Sequence, residues 1–195
     1  MGVSSLSITK AVFLDRDGVI NRALIREGLP YPPNSLDELE ILPGIPESLR
    51  ILKESGFLLI VVTNQPDVGR GLQKKQTVEK MHAFLLDQLP LDVIYVCWHG
   101  QDGECDCRKP LPGLLYQAEQ DWHIDLKKSF MIGDRWRDID TGFTAGCKTV
   151  FIDYQYEESL NYQPDYTAIS IGDASEQIIQ QSKLSVSLKS LSGTS

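Results

Sequence analysis

In Ala11-Val-Phe-Leu-Asp-Arg-Asp-Gly18, four strand-forming residues run straight into two carboxylates spaced by one residue, and the glycine after them lets the chain leave sharply. Side chains alternate along an extended segment, which predicts Asp15 and Asp17 on one side and Arg16 on the other. Two carboxylates side by side, where a buried strand meets solvent, repel each other unless a cation or a proton sits between them. The pair suits a magnesium site, a nucleophile with its general acid, or both.

Three further signals recur at matching places. Phe57-Leu-Leu-Ile-Val-Val62 ends in Thr63-Asn64-Gln65, and Ser129-Phe-Met-Ile132 ends in Gly133-Asp134-Arg135 with Asp138 one helical turn further on. Arg108-Lys109-Pro110 falls on a loop between a predicted strand and a predicted helix. In an open parallel sheet, ligands bind in the crevice beyond the carboxyl ends of the strands, so groups far apart in sequence converge there. A nucleophile, a hydroxyl and an amide for phosphate oxygens, a lysine and another metal carboxylate compose a phosphoryl-transfer site.

Strand-like runs at 11–14, 58–62, 93–96, 130–132 and 149–152 alternate with helix-like runs near 46–55, 74–89, 113–122 and 138–145. That alternation predicts an α/β fold, a three-layer doubly wound parallel sheet of Rossmann-like type. A last strand and helix are read at 166–171 and 174–181, residues 1–182 form a single domain, and the Ser- and Leu-rich 183–195 is expected to fray. Arg22 to Pro43, with four prolines, reads as an irregular active-site loop. The intervals between motifs are already filled by elements the sheet needs, which leaves no room for a separate cap domain.

Cys97-Trp98-His99, five residues, then Cys105-Asp106-Cys107 places three of the four cysteines and one histidine within eleven positions. Three thiolates and an imidazole complete a tetrahedral Zn²⁺ site, which marks a structural metal rather than a catalytic one. It lies immediately before Arg108-Lys109, so the metal would freeze the loop that presents both cations. Cys147 reads as a small buried residue, and His82 and His123, without partners at ligand spacing, as surface or satisfied histidines.

The net charge is -8, which argues against nucleic acid or anionic membrane as a partner. Yet seven of the eight arginines, Arg16, Arg22, Arg26, Arg70, Arg108, Arg135 and Arg137, lie on or beside the loops in question. A cationic mouth on an acidic chain implies a small anionic substrate. Residues 1–10 lack an apolar core long enough for a signal peptide, and the reading is a cytoplasmic protein, monomeric or a small homo-oligomer.

Together these motifs resemble the haloacid dehalogenase superfamily of phosphohydrolases from about Lys10 to Asp153. The knuckle joined to Cys107-Arg-Lys-Pro110 is similar to the subgroup of heptose bisphosphate and histidinol-phosphate phosphatases. The resemblance implies that Asp15 attacks phosphorus and becomes an aspartyl phosphate, while Asp17 protonates the leaving oxygen and then deprotonates water. It implies Mg²⁺ held by Asp15, Asp134 and the backbone carbonyl of Asp17, and Zn²⁺ held by Cys97, His99, Cys105 and Cys107. Thr63, Asn64 and Lys109 would hold the phosphoryl oxygens, with Gln65, Arg108 and Arg135 towards the rest of a phosphorylated sugar. Within this chemistry, histidinol phosphate would look for carboxylates such as Glu27 or Glu104. Asp138 is left open between a function and a helix cap, and a binding module that keeps the fold without turnover is the reading from another class.

Overall fold

A computed structural model of the chain describes residues 9–26, 29–100 and 103–192, without the side chains of 26, 29 and 185–192. The signal-peptide reading of the first residues and the role offered to Glu27 lie outside the described residues. In chain order the elements are β1 (Lys10–Leu14), β2 (Leu24–Arg26), β3 (Leu29–Tyr31), α1 (Ile45–Glu54), β4 (Phe57–Asn64) and α2 (Pro66–Gly69). Then come α3 (Lys75–Gln88), β5 (Val93–Cys97), α4 (Gly113–Trp122), β6 (Phe130–Gly133), α5 (Trp136–Ala145), β7 (Lys148–Ile152), β8 (Tyr166–Ala168) and α6 (Ile171–Ser192).

Six strands form one sheet in the order β5-β4-β1-β6-β7-β8, and every neighbouring pair is parallel. The chain winds outward from β1 through β4 to β5, then returns to the other side of β1 at β6, so the switch point lies at the carboxyl end of β1. Helices on both faces bury the sheet twice over, which explains why its central strands read as unbroken apolar runs instead of alternating ones. Val12, Leu14, Leu59, Val61 and Ile132 pack with Leu49 and Leu52 of α1 and Ala174 and Ile178 of α6. Their neighbours Ala11, Phe13, Ile60, Val62 and Met131 point the opposite way, onto Leu114, Leu115 and Ala118 of α4.

Two expectations change. Arg22–Pro43 is not wholly irregular, because β2 and β3 pair antiparallel and a 3₁₀ turn covers Leu36–Glu38. The last helix is longer than the 174–181 read for it: α6 spans Ile171–Ser192, a stretch with no Pro and no Gly after Gly172. Among the described residues no helix is long and apolar enough to cross a membrane.

Candidate active site

Parallel pairing does not stop at Leu14. The Asp15 N–H donates to the Ile132 carbonyl at 3.0 Å, which sets Asp15 on the rim beside the end of β6, where Asp134 follows Gly133. Asp138 reaches the same place from the first turn of α5, its Oδ2 accepting from the Arg135 N–H at 3.2 Å and so closing that helix end. Ligand oxygens of Asp15, Asp134 and Asp138 all lie within 4.8 Å of one another. Two glycines make this approach possible. A Cβ on Gly18, at φ +96°, would stand 2.1 Å from Asp134 Oδ2, and one on Gly133 would stand 2.0 Å from the Asp138 Cβ.

Lys109 Nζ lies 2.7 Å from Asp15 Oδ1 and 2.6 Å from Asp138 Oδ1, and is almost wholly buried. Burial lowers its affinity for the proton, but Asp138 and Asp15 outweigh that and hold the ammonium above its usual range. One ammonium still faces three carboxylates. Burial, followed by Asp138 and Asp17, pushes Asp15 up to about 7 against the pull of Lys109. Burial and the charges of Asp15 and Asp138 hold Asp134 well above the usual carboxylate range. Both Asp134 oxygens are buried without a hydrogen bond. A carboxylate in that state is costly unless something neutralises it, and an oxygen-lined pocket with excess negative charge fits a hard divalent cation.

Asp17 is turned away from this trio. Its carboxylate accepts from Arg16 Nε (3.1 Å) and Nη2 (2.7 Å), from Asn21 Nδ2 (3.0 Å) and from Gln65 Nε2 (3.1 Å). Arg16 does not face the other way, and it is fully buried, so it is no part of a cationic mouth. Strand alternation ends at Leu14: the Arg16 carbonyl accepts from the N–H groups of Ile20 and Asn21, and the turn folds the side chain back onto Asp17. The third guanidinium nitrogen lies 2.9 Å from Nε2 of His82, a buried residue of α3, which makes it the satisfied histidine of the two readings open to it.

At the end of β4, the Thr63 hydroxyl accepts from Gln65 Nε2 at 3.0 Å, and both side chains line the pocket. Asn64 lines the same pocket, and its side-chain amide also holds the Lys109 backbone. Its Oδ1 accepts from the Lys109 N–H (3.1 Å) and its Nδ2 donates to the Lys109 carbonyl (3.0 Å), so it braces the backbone that carries the ammonium.

The pocket over these groups has a volume of about 280 Å³. Arg70, Arg108, Arg135 and Arg137 line it, four of the seven arginines assigned to the mouth. Arg135 forks onto Glu158 (Nε–Oε2 2.8 Å) and Arg70 pairs with Asp67, whereas Arg108 donates to the His99 carbonyl at 3.0 Å. Glu158, on the loop after β7, carries no sequence signal. Arg22 pairs with Glu40 outside the pocket, and the Arg26 side chain lies outside the described residues.

Beside this pocket, one ligand atom each from Cys97, His99, Cys105 and Cys107 lies within 4.8 Å of the others. Cys97 Sγ stands 3.8 Å from Cys105 Sγ, and Cys107 Sγ stands 3.3 Å from His99 Nδ1. A tetrahedron with Zn–S arms of about 2.3 Å has S···S edges of about 3.8 Å, so the donors already stand at the spacing that ion requires. Cys147 is buried on the far side of Gly146, and burial pushes its thiol up to about 12.

Comparison with known proteins agrees with this geometry. A HAD-hydrolase-like family model matches residues 106–174. The D-glycero-beta-D-manno-heptose-1,7-bisphosphate 7-phosphatase of Pasteurella multocida is 39% identical over 178 residues, covering 84% of this chain and 94% of that one. The enzyme of the same name from Haemophilus ducreyi is 38% identical over 152 residues, 72% of this chain and 80% of the other. Among solved structures, the D,D-heptose 1,7-bisphosphate phosphatase of B. bronchiseptica, complexed with magnesium and phosphate, superposes with a TM-score of 0.77 at 28% identity, covering 89% of this chain and 99% of that one. With its sheet, its carboxylate rim and its cysteine knuckle in place, the chain belongs to the heptose bisphosphate phosphatase family of haloacid dehalogenase-like hydrolases.

Proposed function

We propose that the chain hydrolyses the 7-phosphate of a heptose 1,7-bisphosphate through an aspartyl phosphate on Asp15. The observation that carries this reading is the meeting of Asp15, Asp134 and Lys109 at one rim, from three distant segments. The relatives' names support the sugar, and four arginines around the pocket suit a substrate with two phosphates.

Asp15, Asp134 and Asp138 offer the carboxylate oxygens for Mg²⁺, which when bound offsets charge on the carboxylates and on the phosphoryl oxygens. Lys109 adds a fixed positive charge against the phosphoryl group, so a dianion can approach Asp15. The Asp15 oxygen forms a bond to phosphorus as the bond to the leaving oxygen breaks, and Asp17 delivers its proton to that oxygen. A water then attacks phosphorus, gives a proton to Asp17, and releases Asp15 and inorganic phosphate. Cys97, His99, Cys105 and Cys107 would hold Zn²⁺ as a closed structural site, which fixes the segment carrying Arg108 and Lys109.

Phosphate release with Mg²⁺ from heptose 1,7-bisphosphate, fructose 1,6-bisphosphate and histidinol phosphate tests the assignment. The heptose should be turned over with kcat/KM at least about 100-fold above the others, the discrimination available to a few charged contacts. Preference for histidinol phosphate would overturn the sugar, and no release from any of them would leave a binding module.

A further inference from the structure

Arg16 and His82 are buried, polar and unused by the mechanism above. The Arg16 guanidinium gives Nε and Nη2 to the Asp17 carboxylate and Nη1 to His82 Nε2 at 2.9 Å. A guanidinium only donates, so Nε2 must offer its lone pair and the imidazole must be neutral, with its hydrogen on Nδ1. Burial and the adjacent Arg16 agree with this, since they hold His82 down to about 3. The centroid of the His82 ring lies 6.2 Å from that of Trp98, the residue between Cys97 and His99 of the knuckle. The fork is therefore fixed at both ends, by α3 on one side and by the turn after β1 on the other.

We infer that Arg16 and His82 form a buried positioning pair, in which His82 acts through the guanidinium to hold Asp17 oriented for proton exchange with the leaving oxygen. This rests on the assignment of Asp17 as acid and base. As Asp17 gives its proton to the bridging oxygen and the P–O bond breaks, the carboxylate left behind meets a guanidinium already beside it. An arginine that merely had to be satisfied would donate to any carbonyl. Here its third nitrogen is tied to a side chain 66 residues away, which fixes the rotation of the fork and with it the direction of Asp17.

The test compares an alkyl phosphomonoester that the enzyme turns over, heptose 1,7-bisphosphate first, with p-nitrophenyl phosphate, whose leaving group needs little protonation. The readout is kcat/KM, which stops at cleavage of the ester bond and excludes the later hydrolysis. His82→Leu should lose about 30-fold on the alkyl ester and less than about threefold on the aryl ester, a fraction of what a general acid contributes. His82→Gln, which places an oxygen near the position of Nε2, should recover the alkyl activity to within about threefold. Arg16→Lys, which keeps the charge and loses the fork, should show the same split independently of how His82→Leu folds. Equal losses on the two esters, or none on either, would overturn the inference. Turnover that survives in Asp15→Asn would instead remove the underlying assignment of the site.

Discussion

Asp15→Asn should destroy turnover and at the same time stabilise the Mg²⁺-free protein. The folded structure holds the Asp15 carboxyl at about 7, against an ordinary value of 3.8, through burial and the nearby Asp138 and Asp17. With the folded value above the unfolded one, the folded protein binds the proton more tightly, so stability falls as pH rises from about 4 to about 7 and then stays low. At about 1.4 kcal/mol per decade the full difference is about 4 kcal/mol, and sharing of charge with Asp134 brings a working figure to about 2 kcal/mol. For a domain of this size that is a rise in Tm of about 4–8 °C at pH 8. At pH 5 the gain should be less than half as large, because the wild-type carboxyl is then protonated in the folded state. The assay is thermal unfolding of zinc-loaded wild type and variant in Mg²⁺-free buffer at both pH values, repeated with Mg²⁺. Added Mg²⁺ should raise the wild-type Tm and leave the variant nearly unmoved. A variant that melts below wild type at pH 8, or gains equally at pH 5 and pH 8, would refute the account of Asp15 as a strained carboxylate awaiting a cation.

Lys109→Met removes the ammonium from among three carboxylates; we expect turnover to fall by about 10³-fold and stability without Mg²⁺ to drop by about 3–5 kcal/mol, read by phosphate release and by denaturant unfolding. Cys105→Ser opens the sulfur cluster, so zinc content by elemental analysis should become substoichiometric, with a lower Tm and reduced turnover. Full activity in zinc-depleted protein would sever the link between the knuckle and Lys109. Gly133→Ala puts a Cβ 2.0 Å from that of Asp138, inside contact distance with a side chain that holds both α5 and Lys109. It should cost about 1–3 kcal/mol and also weaken catalysis, whereas Gly44→Ala, with nothing within 4 Å but a left-handed backbone, should affect stability alone.

In the proposed enzyme the cysteine knuckle and the carboxylate rim would work mechanically as one device. Cys107 is two residues from Lys109, and the Lys109 backbone is clasped from the opposite direction by the side-chain amide of Asn64 at the end of β4. A lysine side chain is long and rotamer-rich, and holding its ammonium at 2.7 Å from Asp15 takes a fixed backbone as well as a charge partner. The loop has few buried apolar residues to supply that rigidity, since Asp106 and Leu111 are exposed and Cys105 and Cys107 only partly buried. Zn²⁺ on the four proposed ligands would do what a core otherwise does. Arg108, anchored on the His99 carbonyl, inherits the same restraint.

This division explains which parts were legible in the sequence. Asp15, Thr63 and Asp134 follow apolar runs because a parallel sheet presents its ligand-facing groups at strand ends, and the pattern of the strand betrays the position of the residue after it. The cysteines and His99 were legible because a tetrahedral site needs a narrow set of residue types at short spacing. Placing Arg16 on the opposite side extends the alternation past Leu14, where the strand ends and the chain begins to turn. The work of the Asn64 amide, the Glu158 fork on Arg135 and the His82 contact had no comparable signal. Each contacts another side chain or backbone, so it need only reach its partner, from whatever element happens to pass. Asp138 falls between the two cases. Its helix-capping position is visible in the sequence, but its 2.6 Å pairing with Lys109 depends on the distance between two loops, which no local pattern encodes.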